Sequence, residues 1–242
     1  GLPVTAAYIV LATLSAPALA GMIGDNHVID VFVNEGIPAT VAPILALASP
    51  ELATLGGQTL PLDEARQLLA QLPPEVRINL RDQLLDPAVV TSALLAAHMV
   101  IFWLSQDSNV TPPVCLASFT AAAIAKAPPM ATGLQSWKIA KGLYIVPVLF
   151  AYTPLVGGTP LEALEVFAFA LVGIYGIAAA LQGCMEAPLT WPLRALAFGA
   201  GVAVLWPANL AVDLAGIAVV LALLAWTVRT DRRRLAPVAA VA

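Results

Sequence analysis

Charge is what this sequence has least of. Only 11% of its 242 residues are Asp, Glu, Lys or Arg, against about 25% in ordinary soluble domains. A soluble fold of this size needs a charged skin, and a chain that is 60% apolar cannot supply one. Mean hydropathy of +0.88 points the same way: the natural solvent for much of the surface is lipid. The net charge of −4 is too small to imply a polyanionic partner. No basic stripe marks a nucleic-acid-binding face. The basic cluster Arg229, Arg232, Arg233 and Arg234 ends a hydrophobic segment and reads as a membrane anchor.

Cysteine is scarce as well. Cys115 and Cys184 lie in or beside apolar segments without C-x-x-C spacing, which suits small buried side chains better than metal ligands. The motifs H-E-x-x-H and G-x-S-x-G and the P-loop are missing. An intramembrane enzyme would therefore have only Asp107 and His98 to work with, and Asp107 has no partner carboxylate in an apolar segment. No basic n-region precedes the first apolar stretch, so it does not read as a signal peptide. The chain opens at Gly1-Leu2-Pro3 without Met, as a piece of a longer chain would.

What is present is a series of apolar segments with polar interruptions. Thr5 to Ile23 is rich in small residues and contains Pro17. It is barely long enough for a hydrocarbon core of about 30 Å, so a half-helix is as good a reading as a span. Val28 to Ala48 is broken by Asp30, Asn34, Glu35, Pro38 and Pro43 and reads as short helices. Pro50 to Pro87 carries Glu51, Asp63, Glu64, Glu75, Asp82 and Asp86 with Arg66, Arg77 and Arg81, and predicts two amphipathic helices, Leu62 to Leu72 and Pro74 to Leu85. Asp63 and Glu64 favour the start of the first, and Pro74 the first turn of the second. Ser92 to Leu104 and Val114 to Ala125 read as half-length helices. Four hydrophobic segments follow, at Leu143 to Val156, Leu164 to Leu181, Leu193 to Leu205 and Leu210 to Val228, with Gly157-Gly158, Pro188, Pro192 and Pro207 in the links.

Orientation follows from the placement of Lys and Arg. With the Lys126, Lys138 and Lys141 loop inside, Gly157 to Glu162 falls outside, Arg194 inside, Trp206 to Asn209 outside and the arginine-rich tail inside. Counting backward, the acidic stretch before Val89 is extracytoplasmic.

The run Ser105-Gln106-Asp107-Ser108-Asn109-Val110-Thr111-Pro112-Pro113 is the strongest functional candidate. The two prolines remove backbone donors, and Pro112 biases Thr111 away from helical angles. Carbonyls one turn upstream are then free to face a cation. Asp107 supplies charge, and Ser108, Asn109 and Thr111 supply neutral oxygens, a donor set for a small hard cation such as Na⁺. Breaks of this kind occur inside membranes where they line a cavity. The same run is also good chemistry for an aqueous turn between two ordinary spans. Thr5 could cap the first helix and favour an anion near it. His98 reads as a hydrogen-bonded packing residue, and Asp213 as a capping or interfacial one. His27, Asp25 and Asp30 read as a solvated loop group.

Gly1-Leu2-Pro3-Val4-Thr5-Ala6-Ala7-Tyr8-Ile9-Val10 resembles a hairpin-tip motif of the large membrane subunit of TRAP transporters. Asp107-Ser108-Asn109-Val110-Thr111-Pro112-Pro113-Val114 resembles the broken-helix motif of the same subunit. Met130-Ala131-Thr132-Gly133, Trp137-Lys138 and Tyr152-Thr153-Pro154 are also similar, whereas the C-terminal four-span tail resembles the family more loosely. The nearest group is the fused permeases that work with TAXI-type binding proteins.

The resemblance implies the C-terminal portion of a sodium-coupled secondary transporter. It would import an organic anion, often a carboxylate, delivered by an extracytoplasmic TAXI-type binding protein, and would act with the N-terminal remainder of the permease. It implies substrate contacts at Gly1, Pro3, Thr5, Asp107, Ser108 and Asn109, and Na⁺ contacts at Thr5, Asn109 and Thr111. Pro3 departs from the aspartate that many non-fused relatives carry, and the stretch from about Gly24 to Val90 is longer than the family's link. The expected fold is an all-α membrane protein: half a re-entrant hairpin (1–23), an extracytoplasmic helical insert (24–90), a broken transmembrane helix (91–127), a loop and transmembrane helix (128–157), and a three-helix membrane extension with a basic tail (158–242). About four transmembrane helices follow the broken one. The expected location is the bacterial inner membrane, multi-pass, with a cytoplasmic C-terminus. A non-transporting membrane scaffold is the alternative.

Overall fold

The computed structural model describes residues 4–140, 142–206 and 210–239, the last nine through their backbone alone. Among these residues the protein is all-α. Its helices are α1 (Val4–Asn34), α2 (Ala42–Ala46), α3 (Leu62–Gln71), α4 (Pro74–Leu84), α5 (Pro87–Ser105), α6 (Leu116–Ala125), α7 (Pro129–Ile139), α8 (Gly142–Tyr152), α9 (Pro160–Gln182), α10 (Trp191–Leu205) and α11 (Leu210–Ala239). Among the described residues, four helical segments are long and apolar enough to cross a membrane: Val4–Asn34, Pro87–Asn109, Pro160–Gln182 and Leu210–Thr230. The chain divides into two compact units, one of Thr5–Phe102 with Phe150–Tyr152, the other of Gly1–Val4, Trp103–Leu149 and Thr153–Ala242.

In the first unit α1 corrects the expected boundary at residues 23 and 24. The helix runs through Pro17 and Gly24 without interruption, for 31 residues. At 1.5 Å per residue that is about 46 Å, well over the roughly 30 Å of a hydrocarbon core. The apolar part ends near Gly24, and the last turns carry Asp25, His27, Asp30 and Asn34. Gly36, at φ 87°, closes the helix, with the Glu35 and Gly36 amides both donating to the Val31 carbonyl. A left-handed residue there is natural for glycine and strained for others.

The chain then folds back on this polar end. Leu60 N–H donates to the Phe32 carbonyl, and Ile37 and the Gln58 to Gly57 backbone exchange hydrogen bonds. α3 and α4 begin where the sequence predicted and end within one residue of it. Their buried residues are Ala65, Leu68 and Leu69 on α3 and Val76 and Leu80 on α4, spaced three and four apart, so each presents one apolar stripe. With Phe32, Ile37, Val41 and Leu45 they form a continuous core. Each large side chain so buried contributes about 1.5–3 kcal/mol.

An ion pair fixes α4 to α1. Arg81 Nη1 donates to Asp25 Oδ1 at 2.6 Å and to the Gly21 carbonyl at 3.1 Å, and Arg77 Nη1 donates to Asp25 Oδ2 at 3.2 Å. Gly24 makes room for this: a Cβ there would stand 2.8 Å from Arg81 Cδ. Nearer the start of α1, Tyr8 Oη and His98 Nδ1 share a hydrogen bond of 3.0 Å, and Ala12 and Ala16 pack on Ile101 of α5. His98 is thus a hydrogen-bonded packing residue.

In the second unit α9, α10 and α11 pack side by side, successive helices antiparallel. Gly173 lies against Gly201 and Leu205, Gly176 against Ala197 and Gly201, and Gly216 against Ala200 and Val204. A Cβ on Gly201 would stand 2.6 Å from the Gly173 carbonyl oxygen, so the backbones touch where side chains normally intervene. α9 starts at a capping box, the Thr159 amide donating to Glu162 Oε2 at 2.7 Å. It ends at Gly183, φ 77°. Arg194 then caps its exit: Nε donates to the Ala180 carbonyl at 2.7 Å while the guanidinium stacks on Trp191. On α9 the outward residues Leu164, Phe167 and Leu171 are all exposed, the first at 61%. A stripe of large apolar side chains in this register suits contact with lipid.

The expected set of spans needs correction. α9 and α11 are long enough. The segment expected at Leu143 to Val156 is a helix of 11 residues with Pro147 inside it, and α10 has 15. Both fall short of a span by length. Thr153-Pro154 ends the former, because the residue before proline avoids helical angles.

Two outcomes are expected. Asp25→Ala strands two guanidiniums and should destabilise the first unit by roughly 2 kcal/mol, read as a fall in thermal unfolding temperature in detergent. Gly201→Leu should cost at least about 2 kcal/mol by forcing α9 and α10 apart, measured the same way.

Candidate functional site

The polar run sits between α5 and α6, and the arm entering it differs from expectation. α5 is not half-length: it has 19 residues, and a 3₁₀ turn at Gln106–Asn109 extends it. The extra residues come at its start, where Asp86 caps it by accepting from the Ala88 amide at 2.7 Å and Pro87 takes the first helical position. This Asp-Pro signal was present in the sequence. The leaving arm is short, as expected, at 10 residues.

The turn itself is closed by its own polar groups. The Val110 and Thr111 amides donate to the Asp107 carbonyl at 3.0 and 2.9 Å. Ser108 Oγ donates to the Ser105 carbonyl at 3.1 Å. The Pro112–Pro113 peptide is cis. Cys115 precedes α6 and is buried.

A side-chain network is built on Asp107. Thr111 Oγ1 donates to Asp107 Oδ1 by a short hydrogen bond. Tyr144 Oη donates to the same oxygen at 2.5 Å. Thr111 Oγ1 and Tyr144 Oη lie 3.1 Å apart. Trp137 Nε1 donates to Tyr144 Oη at 3.1 Å. Trp137 is near the end of α7 and Tyr144 near the start of α8, so two further helices converge on the turn. α7 comes close because Gly133 has no side chain: a Cβ there would stand 2.6 Å from Cys115 Sγ and 3.1 Å from Pro112 Cγ.

Of the residues expected at the site, Asp107 and Thr111 are brought into direct contact. Ser108 turns back to the main chain. Asn109 ends the 3₁₀ turn. Thr5 is the second residue of α1, inside the helix rather than ahead of it, and belongs to the other unit. Gly1 and Pro3 lie outside the described residues. Sequence reasoning missed Tyr144 as a site residue and quoted Trp137 only within a similar dipeptide. No periodicity links them, since a break between α7 and α8 separates them.

Other polar groups are placed as follows. Asp25, weighed with His27 and Asp30, is taken by Arg77 and Arg81. No group of His, Cys, Asp and Glu among the described residues could hold a metal ion. Asp213 lies in the first turn of α11 and lines a cavity with Glu162, Glu165 and Thr153. Its Oδ1 is buried without a hydrogen-bond partner among the described residues.

The two cysteines give a direct check on this packing. Maleimide should modify exposed Cys184 quickly and buried Cys115 slowly. Gly133→Val, which drives α7 off the turn, should raise the rate at Cys115 by at least about tenfold, the scale of a loss of roughly 1.4 kcal/mol in protection. Peptide mass mapping would resolve the two sites.

No family model, no curated protein and no solved structure matches this chain.

Proposed function

We propose that this chain is the C-terminal portion of a sodium-coupled, binding-protein-dependent secondary transporter that imports an organic anion. The observation that carries the reading is the Asp107 to Pro113 turn. It follows the 19-residue apolar helix α5, precedes a short apolar helix and gathers a carboxylate with hydroxyl groups. Hard oxygen donors suit Na⁺, and polar irregular backbone next to apolar helices is what transporters use for ions and substrate. The resemblance of this run and of Gly1 to Val10 to the TRAP large subunit supports the same reading. In this reading, and as the resemblance implies, Asp107 and Asn109 serve the anion, and Asn109 and Thr111 contact Na⁺. The protein works in a bacterial inner membrane with its C-terminus cytoplasmic. The helical stretch 24–90 faces outward, where a TAXI-type binding protein docks.

A membrane scaffold is the second reading. It is favoured by one observation, that the turn satisfies its own polar groups: Asp107 already accepts from Thr111 and Tyr144. The two readings differ under mutation. In proteoliposomes holding the parent permease, transport should stop when Na⁺ is replaced by choline. Thr111→Ala and Asn109→Ala should each raise the Na⁺ concentration for half-maximal uptake by about tenfold, the scale of one lost charge-assisted hydrogen bond or ligand. Uptake indifferent to Na⁺ removes the coupling. Substitutions that change only protein abundance favour the scaffold. Deleting residues 50–87 should abolish uptake from the binding protein, and normal uptake after that deletion would dismiss the docking role.

A further inference from the structure

Positive charge is segregated in this chain. Between Asp107 and Glu162 there is no Asp or Glu, and Lys126, Lys138 and Lys141 all fall in that stretch. The whole chain has 15 acids against 11 Lys and Arg, so this segment runs counter to the overall balance. At its middle lies α7, 11 residues long. That is about 16 Å, roughly half of a hydrocarbon core, so α7 is too short to span a membrane.

This helix has a packed side and an open side. Gly133 is its buried residue and faces Cys115 and Pro112. Met130, Leu134 and Trp137, spaced four and three apart, form one exposed apolar stripe, with Leu134 at 55%. Lys138, also exposed, stands directly beside it. Just before α7, Lys126 is exposed and ends α6 in the left-handed region, at φ 52°. Glycine takes that cap position at less cost. The chain keeps a lysine there, two residues after Ile124, which is 81% exposed.

We propose that α7 lies in the plane of the membrane–water interface and holds the headgroups of anionic phospholipids through Lys126 and Lys138. The stripe of Met130, Leu134 and Trp137 enters the boundary between headgroups and acyl chains, the level at which tryptophan is enriched. The lysine stems lie along apolar surface while their ammonium groups reach phosphate. A second protein is a poorer occupant. Lysine is depleted at protein interfaces, and no acid in the surrounding segment balances these two. An interfacial α7 suits a permease and a scaffold alike.

The test places a fluorophore on α7 of the full chain in phospholipid vesicles. Ala131→Cys, on the exposed side of α7, takes an environment-sensitive label in a Cys184→Ser background, where buried Cys115 reacts slowly. Lipids with a nitroxide near the headgroup end of an acyl chain should quench the label, and aqueous iodide should quench it little. Nitroxide-labelled phosphatidylglycerol should reach half-quenching at about fivefold lower mole fraction than nitroxide-labelled phosphatidylcholine, the scale of one lysine at an anionic surface. Lys126→Gly with Lys138→Gln should remove that preference, and Lys126→Arg with Lys138→Arg should keep it. Slow alkylation of Cys115 confirms that a variant stays packed. Should the neutralised pair expose Cys115, salt decides: the preference of the otherwise unsubstituted protein should shrink in about 0.5 M NaCl, and one that does not shrink overturns the headgroup contact. Equal half-quenching by the two lipids overturns it as well. A preference that survives in the packed, neutralised pair overturns the role of the two lysines. Quenching by iodide and not by nitroxide puts the face in water, and quenching by neither puts it against protein; each overturns the proposal.

Discussion

A carboxylate in a mostly apolar chain must be given donors, and this fold does so in two ways. At Asp25 the donors are Arg77 and Arg81, which bring positive charge with their hydrogens. The result is a structural clamp that holds α4 on α1. At Asp107 the donors are the hydroxyls of Thr111 and Tyr144, which bring hydrogens and no charge. The first arrangement balances the carboxylate's charge, and the second satisfies it by hydrogen bonds alone among the described residues.

Both arrangements depend on small residues. Gly24 lets the Arg81 side chain lie along α1, and Gly133 lets α7 reach Cys115 and Pro112. In the second unit Gly173, Gly176, Gly201 and Gly216 do the same for whole helices. Lipid offers no hydrophobic drive for one apolar helix to leave it for another, so contact area and backbone approach must supply the attraction. Small residues at the contacts and large ones such as Leu164 and Leu171 on the outside are the outcome.

Much of this was legible in the sequence, in parts. The amphipathic helices α3 and α4 were placed to within a residue, because three-and-four spacing, acids at a first turn and Pro74 are local signals. His98 was read correctly as a packing residue, though its partner Tyr8 was not foreseen. α1 was cut too early, at Ile23, where the apolar run gives way to Asp25, His27 and Asp30. The helix continues beyond that point, where the core built on Phe32 and the Arg81 clamp hold it. α5 was cut too late at its start because the Asp86-Pro87 cap was read as the end of the preceding stretch. The turn from Asp107 to Pro113 was found from its composition. Its partners Tyr144 and Trp137 were not, since neither stands at a spacing that points to Asp107.

By itself the sequence determined the solvent and the breaks. Too little charge, long apolar runs and prolines at fixed places dictate apolar helices separated at known points, since these are properties of composition and of single residues. Only the tertiary structure decided which helices reach full length, which carboxylate is neutralised and which is not, and that Tyr144 and Trp137 meet the turn. Those outcomes depend on distances between residues far apart in the chain. A hydrogen bond or an ion pair exists only where folding brings its two ends within about 3 Å.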